Sequence, residues 1–234
     1  MPLRDEFCRG VLFFVKILLT QRIICAIIVY DISTNYRSED IENLERNELY
    51  TTQQIKSKGY SNSAITRAVK SGKLQRVAHG LYNLPKSDSD AVFDDEMYQL
   101  GLRFKQLVFS HDTALYLHDL NDRDPIGYSI TLPTGYNTKT LLSEGFKVFS
   151  LKKELHEHGV IEKQTMYGNL VRTYSLERTI CDCLRSRSRL PKDIVATALK
   201  RYVKRPDRDL AALAQTAKMF NITKILETYM EVLL

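Results

Sequence analysis

The stretch Tyr60–Pro85 reads YSNSAITRAVKSGKLQRVAHGLYNLP, and its punctuation decides the fold of the N-terminal half of the chain. Ser61 stands where a helix cap is needed, since its hydroxyl can accept from one of the first backbone N–H groups that no carbonyl reaches. From Asn62 to Ser71 the apolar residues Ile65, Ala68 and Val69 fall on one helical face, and Gly72 supplies the stop. The runs KLQRV and LYNL then alternate apolar and polar residues around Ala78-His79-Gly80, the pattern of a hairpin with glycine at its turn. Upstream, TTQQIKSKGY predicts another helix, capped at Thr51 or Thr52 and stopped by Gly59. Two short helices joined by a glycine turn, followed directly by a hairpin, make a winged helix-turn-helix. Before it, Ser38–Leu49 reads as a short helix with Ile41 and Leu44 turned to a partner.

The charge points the same way. Between Arg46 and Lys86 eight basic residues stand against one acid, Glu48, while the rest of the chain holds 26 basic and 27 acidic residues. The excess of +6 is therefore confined to the winged helix and its flanks, which suits a polyanionic partner. On the helix face opposite the apolar stripe lie Asn62, Ser63, Thr66, Arg67 and Lys70. Asn and Arg can make paired hydrogen bonds to base edges, Ser and Thr can bond bases or phosphates, and Lys neutralises phosphate. Lys73, Arg76 and His79 place further donors on the wing. The expected partner is double-stranded DNA, because the stretch lacks an exposed aromatic run for stacking unpaired bases.

With 234 residues and 44% hydrophobic content, the chain has room for two modest cores. We expect an α+β protein in three parts: an apolar N-terminal extension at 1–35, the winged helix at 36–86, and a mixed α/β domain at 90–234 that ends in helices. Pro85 and the polar run KSDSD read as a linker. Helices are expected in DDEMYQLGLRFKQ and SHDTALYLHDL, the second capped by Ser110, and strands in YSITLP and FKVFSL. A hairpin is expected around Tyr167-Gly168-Asn169, with four helices beyond Ser175. In the third of these, Leu210, Leu213, Ala214 and Ala217 have helical spacing. Residues Val11–Tyr30 are long enough to span a bilayer but are interrupted by Lys16, Gln21 and Arg22. That segment reads as a buried element, a membrane anchor, or upstream sequence outside the working protein. The four cysteines show no metal or disulfide spacing and fit reduced cytoplasmic thiols.

The run LYTTQQIKSKGYSNSAITRAVKSGKLQRVAHGLYNLP resembles the winged helix of the AbiEi antitoxin family of bacterial type IV toxin-antitoxin and abortive-infection systems. The resemblance continues through FSHDTALYLHDLNDRDPIGYSITLPTGYNT and TYSLERTICDCLRSRSRLPKDIVATALKRYVKR, three blocks in order from about Asp40 to the C-terminus. Its motif falls on Thr52, Ser61, Ser63, Thr66, Arg67, Gly72, Leu74, Arg76, Gly80 and Tyr82, so Thr52 and Ser61 join the candidate DNA contacts. In the second domain it falls on Ser110, His111, Ala114, Leu115, Glu177, Arg178, Thr179 and Asp182. The resemblance implies an autorepressor that binds inverted repeats in its own operator. It also implies a functional partner, a nucleotidyltransferase-like toxin, opposed with or without direct contact. Glu177, Arg178, Asp182, Arg185 and Arg187 are the candidate surface for antitoxicity; the plainer reading of Glu177, Arg178 and Asp182 is a cap and a buried or semi-buried ion pair that fixes the domain.

No enzyme, cofactor, metal, small-molecule substrate or membrane contact is expected. Adjacent residues such as Ser110-His111-Asp112 cannot converge as a catalytic relay. Asp122, Asp124, Glu177 and Asp182 are the carboxylates that a metal-dependent nuclease, the rival reading, would have to gather, and His156 and His158 read as a helix end. A plain transcription factor without a toxin is the third reading.

Overall fold

The structure is a computed structural model, and it describes residues 41, 44, 45, 48–85 and 95–233. The extension at 1–35, the linker run and most of the helix expected over Ser38–Leu49 lie outside the described residues. Among the described residues no helix is long and apolar enough to cross a membrane. The described residues divide into two compact units, one running up to Val77 and including Tyr82–Pro85, the other holding Ala78–Leu81 and the residues from Asp95 onward.

The N-terminal elements are β1 (Tyr50–Thr51), α1 (Thr52–Ser57), α2 (Asn62–Lys70), β2 (Gln75–Ala78) and β3 (Leu81–Asn83), all in the first unit except the hairpin tip Ala78–Leu81. Thr51 caps α1 in a reciprocal box: Gln54 N–H donates to Thr51 Oγ1 at 3.2 Å, and Thr51 N–H donates to Gln54 Oε1 at 2.8 Å. Gly59, with φ of 98°, ends that helix, and Ser61 caps α2 by accepting from Ala64 N–H at 3.2 Å. Leu74 then opens the hairpin, whose three-stranded sheet has the order β1-β3-β2 and whose turn is His79-Gly80. The core is Tyr50, Ile55, Ala64, Ile65, Ala68 and Leu74, joined by Ile41 and Leu44.

Gly72 has φ of 74°, and nothing lies within 4 Å of where its Cβ would sit. Its requirement is therefore conformational and not steric. Gly72→Ala is expected to cost about 1–2 kcal/mol by urea unfolding without altering the fold, which amide chemical shifts can check.

In the second unit the elements are α3 (Glu96–Arg103), β4 (Val108–Phe109), α4 (His111–Leu117), β5 (Ser129–Pro133), α5 (Lys139–Ser143), β6 (Lys147–Leu151), α6 (Lys153–Glu157), β7 (Val160–Gln164) and β8 (Leu170–Tyr174). Four helices follow: α7 (Leu176–Arg185), α8 (Lys192–Lys204), α9 (Leu210–Met219) and α10 (Thr223–Leu233). The sheet has the order β6-β5-β4-β8-β7 and is mixed, with β4 parallel to β8 and antiparallel to β5. Met97 and Leu100 of α3 and Leu141 of α5 join Phe109, Ile130, Leu132 and Val171 of the sheet in one core. A second core is helical, built from Ile180, Leu184, Val195, Leu199, Leu213 and Ala217 around the fully buried Tyr202. The α+β class read from the sequence is the class observed.

Three local readings change. Ser110 occupies the cap position of α4 but makes no capping bond; its hydroxyl instead meets His111 Nδ1 at 2.9 Å and accepts from Thr131 Oγ1 at 2.8 Å. The buried stripe of α9 is Leu213, Thr216 and Ala217, while Leu210 and Ala214 are exposed. The short helix α5 was not anticipated, since five residues are too few to show a period, whereas α6 ends where His156 and His158 read as a helix end.

Asp95 ties two distant pieces together. It caps α3 by accepting from Tyr98 N–H at 3.1 Å, and its other oxygen accepts from Thr165 Oγ1 and from Asn169 Nδ2, the latter at 3.0 Å. Because Asp95 is buried, Asp95→Ala strands both hairpin donors and loses the cap. An expected loss of about 2–3 kcal/mol, read from urea unfolding, is larger than a cap alone provides.

Candidate nucleic-acid interface

Helix α2 carries the clearest division of labour in the first unit. Ala64, Ile65 and Ala68 are buried and Val69 half-buried, whereas Asn62, Ser63, Thr66, Arg67 and Lys70 are exposed. The helical repeat brings those five side chains onto one face: Asn62, Thr66 and Lys70 follow at i, i+4, and Ser63 sits one turn before Arg67. Thr66 Oγ1 donates to Asn62 O at 2.9 Å, which leaves its oxygen lone pairs as acceptors. At the start of the helix, Ser61 and Ser63 share a hydrogen bond of 2.8 Å, so the capping hydroxyl is held in place.

Neither α1 nor α2 has an acidic residue in its first turn, so the partial positive charge of each N-terminus is not offset from within the helix. The last turn of α2 holds Arg67 and Lys70. Such a face can satisfy an anion with backbone N–H groups and cations while Asn62 and Arg67 offer donors in planes that match base edges.

The remaining candidates fall elsewhere. Thr52 is the first residue of α1 and half-buried, and Ser61 is exposed. Lys73 precedes the hairpin, Arg76 lies on β2 and His79 at the turn, all three exposed. Ala64 was missing from the apolar stripe read from the sequence; its i, i+4 spacing to Ala68 was the available signal.

In the second unit, the surface expected at Glu177, Arg178, Asp182, Arg185 and Arg187 is largely not a surface. Arg178 and Asp182 have no exposed side-chain area, and Arg178 Nε donates to Asp182 Oδ2 at 2.8 Å. Arg178 Nη1 also donates to the carbonyls of Leu155 and His158, at 2.9 and 3.2 Å, and its guanidinium lies 4.4 Å from the Tyr174 ring and 4.0 Å from that of Phe220. Asp182 is spared by a second donor, Arg185 Nη2 at 3.1 Å. This is a structural ion pair with its stacking partners, positioned by the i, i+4 spacing on α7. Glu177 is half-buried and accepts from Tyr202 Oη and Asp209 N–H, both at 3.3 Å; Arg187 is exposed.

Three of the four carboxylates that a nuclease would gather are engaged separately, Asp122 with Arg201, Glu177 with Tyr202 and Asp182 with Arg178, and Asp124 is exposed. Asp112 bonds Lys147 Nζ at 2.8 Å and not His111, so Ser110-His111-Asp112 forms no relay. His111 is buried, with Nε2 on Ser186 Oγ at 3.0 Å and its ring stacked 3.5 Å from Phe149. Burial pushes its pKa down to about 4. His156 lies in the last turn of α6 with its Nε2 3.3 Å from Thr131 O, and His158 follows the helix as its C-cap.

Residues 41–85 match the family model described as transcriptional regulator, AbiEi antitoxin. No curated protein matches the chain. Among solved structures, the RV2827C protein from Mycobacterium tuberculosis superposes with a TM-score of 0.51 at 14% identity, covering 73% of this chain and 66% of that one. At that identity the likeness is one of fold, and this chain spans about two thirds of its length. By that match, residues 41–85 are similar to the AbiEi antitoxin family of transcriptional regulators.

Proposed function

We propose that the protein is the antitoxin of a type IV toxin-antitoxin system and represses its own operon, with no catalytic step of its own. The observation that carries the DNA-binding part is α2. Its exposed face is Asn62, Ser63, Thr66, Arg67 and Lys70, and its first turn carries no acid. A helix with that face can enter a major groove, the side chains reading base edges and the flanking Lys73 and Arg76 lying along phosphates. Inverted repeats upstream of the operon are the expected operator. The family match supports the regulatory role.

The second unit supplies the antitoxicity, against a nucleotidyltransferase-like toxin encoded in the same operon. Arg187 and the exposed cations of α8, Lys192, Lys200 and Lys204, remain available on its surface for that task, since Arg178 and Asp182 are committed to the core.

Two arms test the proposal. A reporter driven by the upstream DNA is expected to be repressed by the full chain and released by Asn62→Ala with Arg67→Ala. Expression of the neighbouring reading frame is expected to arrest growth unless the full chain is co-expressed. A reporter indifferent to both proteins, or DNA cleavage by the purified chain with Mg²⁺, would overturn the reading.

A further inference from the structure

Strand β7 is an edge of the five-stranded sheet, and among the described residues no strand pairs with its outer side. The hydrogen-bonding parity of that side follows from its inner partner. Thr165 N–H donates to Asn169 O at 2.9 Å and Ser175 N–H donates to Gly159 O at 2.7 Å, so the odd-numbered residues of β7 bond inward to β8. Val160, Glu162 and Gln164 therefore turn their N–H and C=O groups outward. Beside this edge lies a groove of about 650 Å³, lined by Tyr116, Asp119, Glu162, Lys163, Gln164 and Met166. Met166 is 79% exposed and Leu170, next to it on the groove wall, 54%.

A second copy of the chain is a poor occupant. A two-fold copy adds antiparallel, and parity then requires even residues to face even ones. The fully overlapping register sets Glu162 against Glu162 of the copy, and the next sets Lys163 against Lys163, each a like-charge pair. The third sets Ile161 against itself but brings in Gly159, whose φ of 68° lies outside the strand region, and so shortens the ladder to three residues. The edge is thus protected against itself and open to a strand of complementary charge.

We propose that β7 is a docking edge for an extended segment of a heterologous protein, which adds antiparallel with a basic residue opposite Glu162 and an acidic one opposite Lys163. Backbone pairing at Val160, Glu162 and Gln164 holds the segment, and Met166 and Leu170 receive its apolar side chains. This goes beyond the reading of α2 and does not depend on DNA binding.

The test uses the full chain and two synthetic strands of alternating Thr and Val, one with a central Asp-Lys and one with a central Lys-Asp. The first is expected to bind about fivefold tighter or better, from the cross-strand charge pairs. It is also expected to protect the amides of Val160, Glu162 and Gln164 from hydrogen exchange. Glu162→Pro removes an outward N–H without touching the β7–β8 ladder, so it is expected to abolish binding while leaving other amide shifts in place. Four results would each overturn the proposal: no binding by either peptide, equal binding by both, binding unaffected by Glu162→Pro, or protection of the three amides in the protein alone. A dimer that Glu162→Pro dissociates would overturn it in favour of the second copy.

Discussion

Replacing Arg178 with alanine is expected to destabilise the second unit by about 3–5 kcal/mol, the range for removing one partner of a buried ion pair. The reason is what stays behind. Asp182 has no exposed area and would keep one partner, Arg185, at 3.1 Å. The carbonyls of Leu155 and His158 would lose their donor, and Tyr174 and Phe220 would face a void where the guanidinium was stacked. Lysine is not a substitute, because its single ammonium cannot reach Asp182 and both carbonyls in the plane that the fork provides. The double variant Arg178→Met with Asp182→Leu is expected to recover much of the loss, since it removes both buried charges and keeps the volume. Urea midpoints of the three proteins decide the matter: a double variant no better than Arg178→Ala would mean that the orphaned carbonyls of Leu155 and His158, not the stranded carboxylate, set the cost.

Acid is expected to weaken the fold through His111. Its ring is buried against Phe149 with a hydroxyl at each nitrogen, and burial holds its pKa down at about 4 against an ordinary 6.5. Asp182 and Asp112 favour the proton, but burial outweighs them, and Arg185 and Arg189 oppose it. The sign follows from proton binding: between pH 6.5 and about 4 the unfolded chain takes up a proton that the folded chain refuses. Stability is therefore full above 6.5 and is lost as pH falls through that window, by about 3 kcal/mol in all. His118 and His156, also held low chiefly by burial, add loss of the same sign. His111 sits at φ of 50°, so His111→Asn is the variant to compare, because asparagine tolerates that backbone. Stability measured from pH 7 to 4.5 is expected to fall less steeply in the variant; parallel curves would remove His111 as the cause.

The winged helix was legible because its signals are local. Thr51, Ser61, Gly59 and Gly72 each act on backbone groups within four residues, so the sequence carries both the instruction and its object. The face of α2 follows from a 3.6-residue period and needed only Ala64 added. What the second unit does with its polar residues is another matter. Ser110 looks like a cap until Thr131 and His111 claim its hydroxyl, and Thr131 lies 21 residues away. Arg178 reads either as surface or as half of a buried ion pair until Phe220 closes over it from beyond α9. One hint was present: Arg178 and Asp182 stand four apart among Thr179, Ile180, Cys181, Cys183 and Leu184, a helix too apolar all round to have an exposed charged face. The two-residue strand β4, which joins the halves of the sheet, gave no signal, since Val108 and Phe109 pair with residues 23 and 64 positions away.

Binding of DNA by the α2 face through its cations would make affinity fall with salt in proportion to the phosphates neutralised. Affinity of the full chain for the upstream DNA is measured by fluorescence anisotropy from 50 to about 300 mM KCl, beside the double variant Arg67→Ala, Lys70→Ala. Each phosphate contact contributes a slope of about 0.9 in log K against log salt, so the variant is expected to bind more weakly with a slope shallower by nearly two. Equal affinity and equal slope would contradict the assignment of this face.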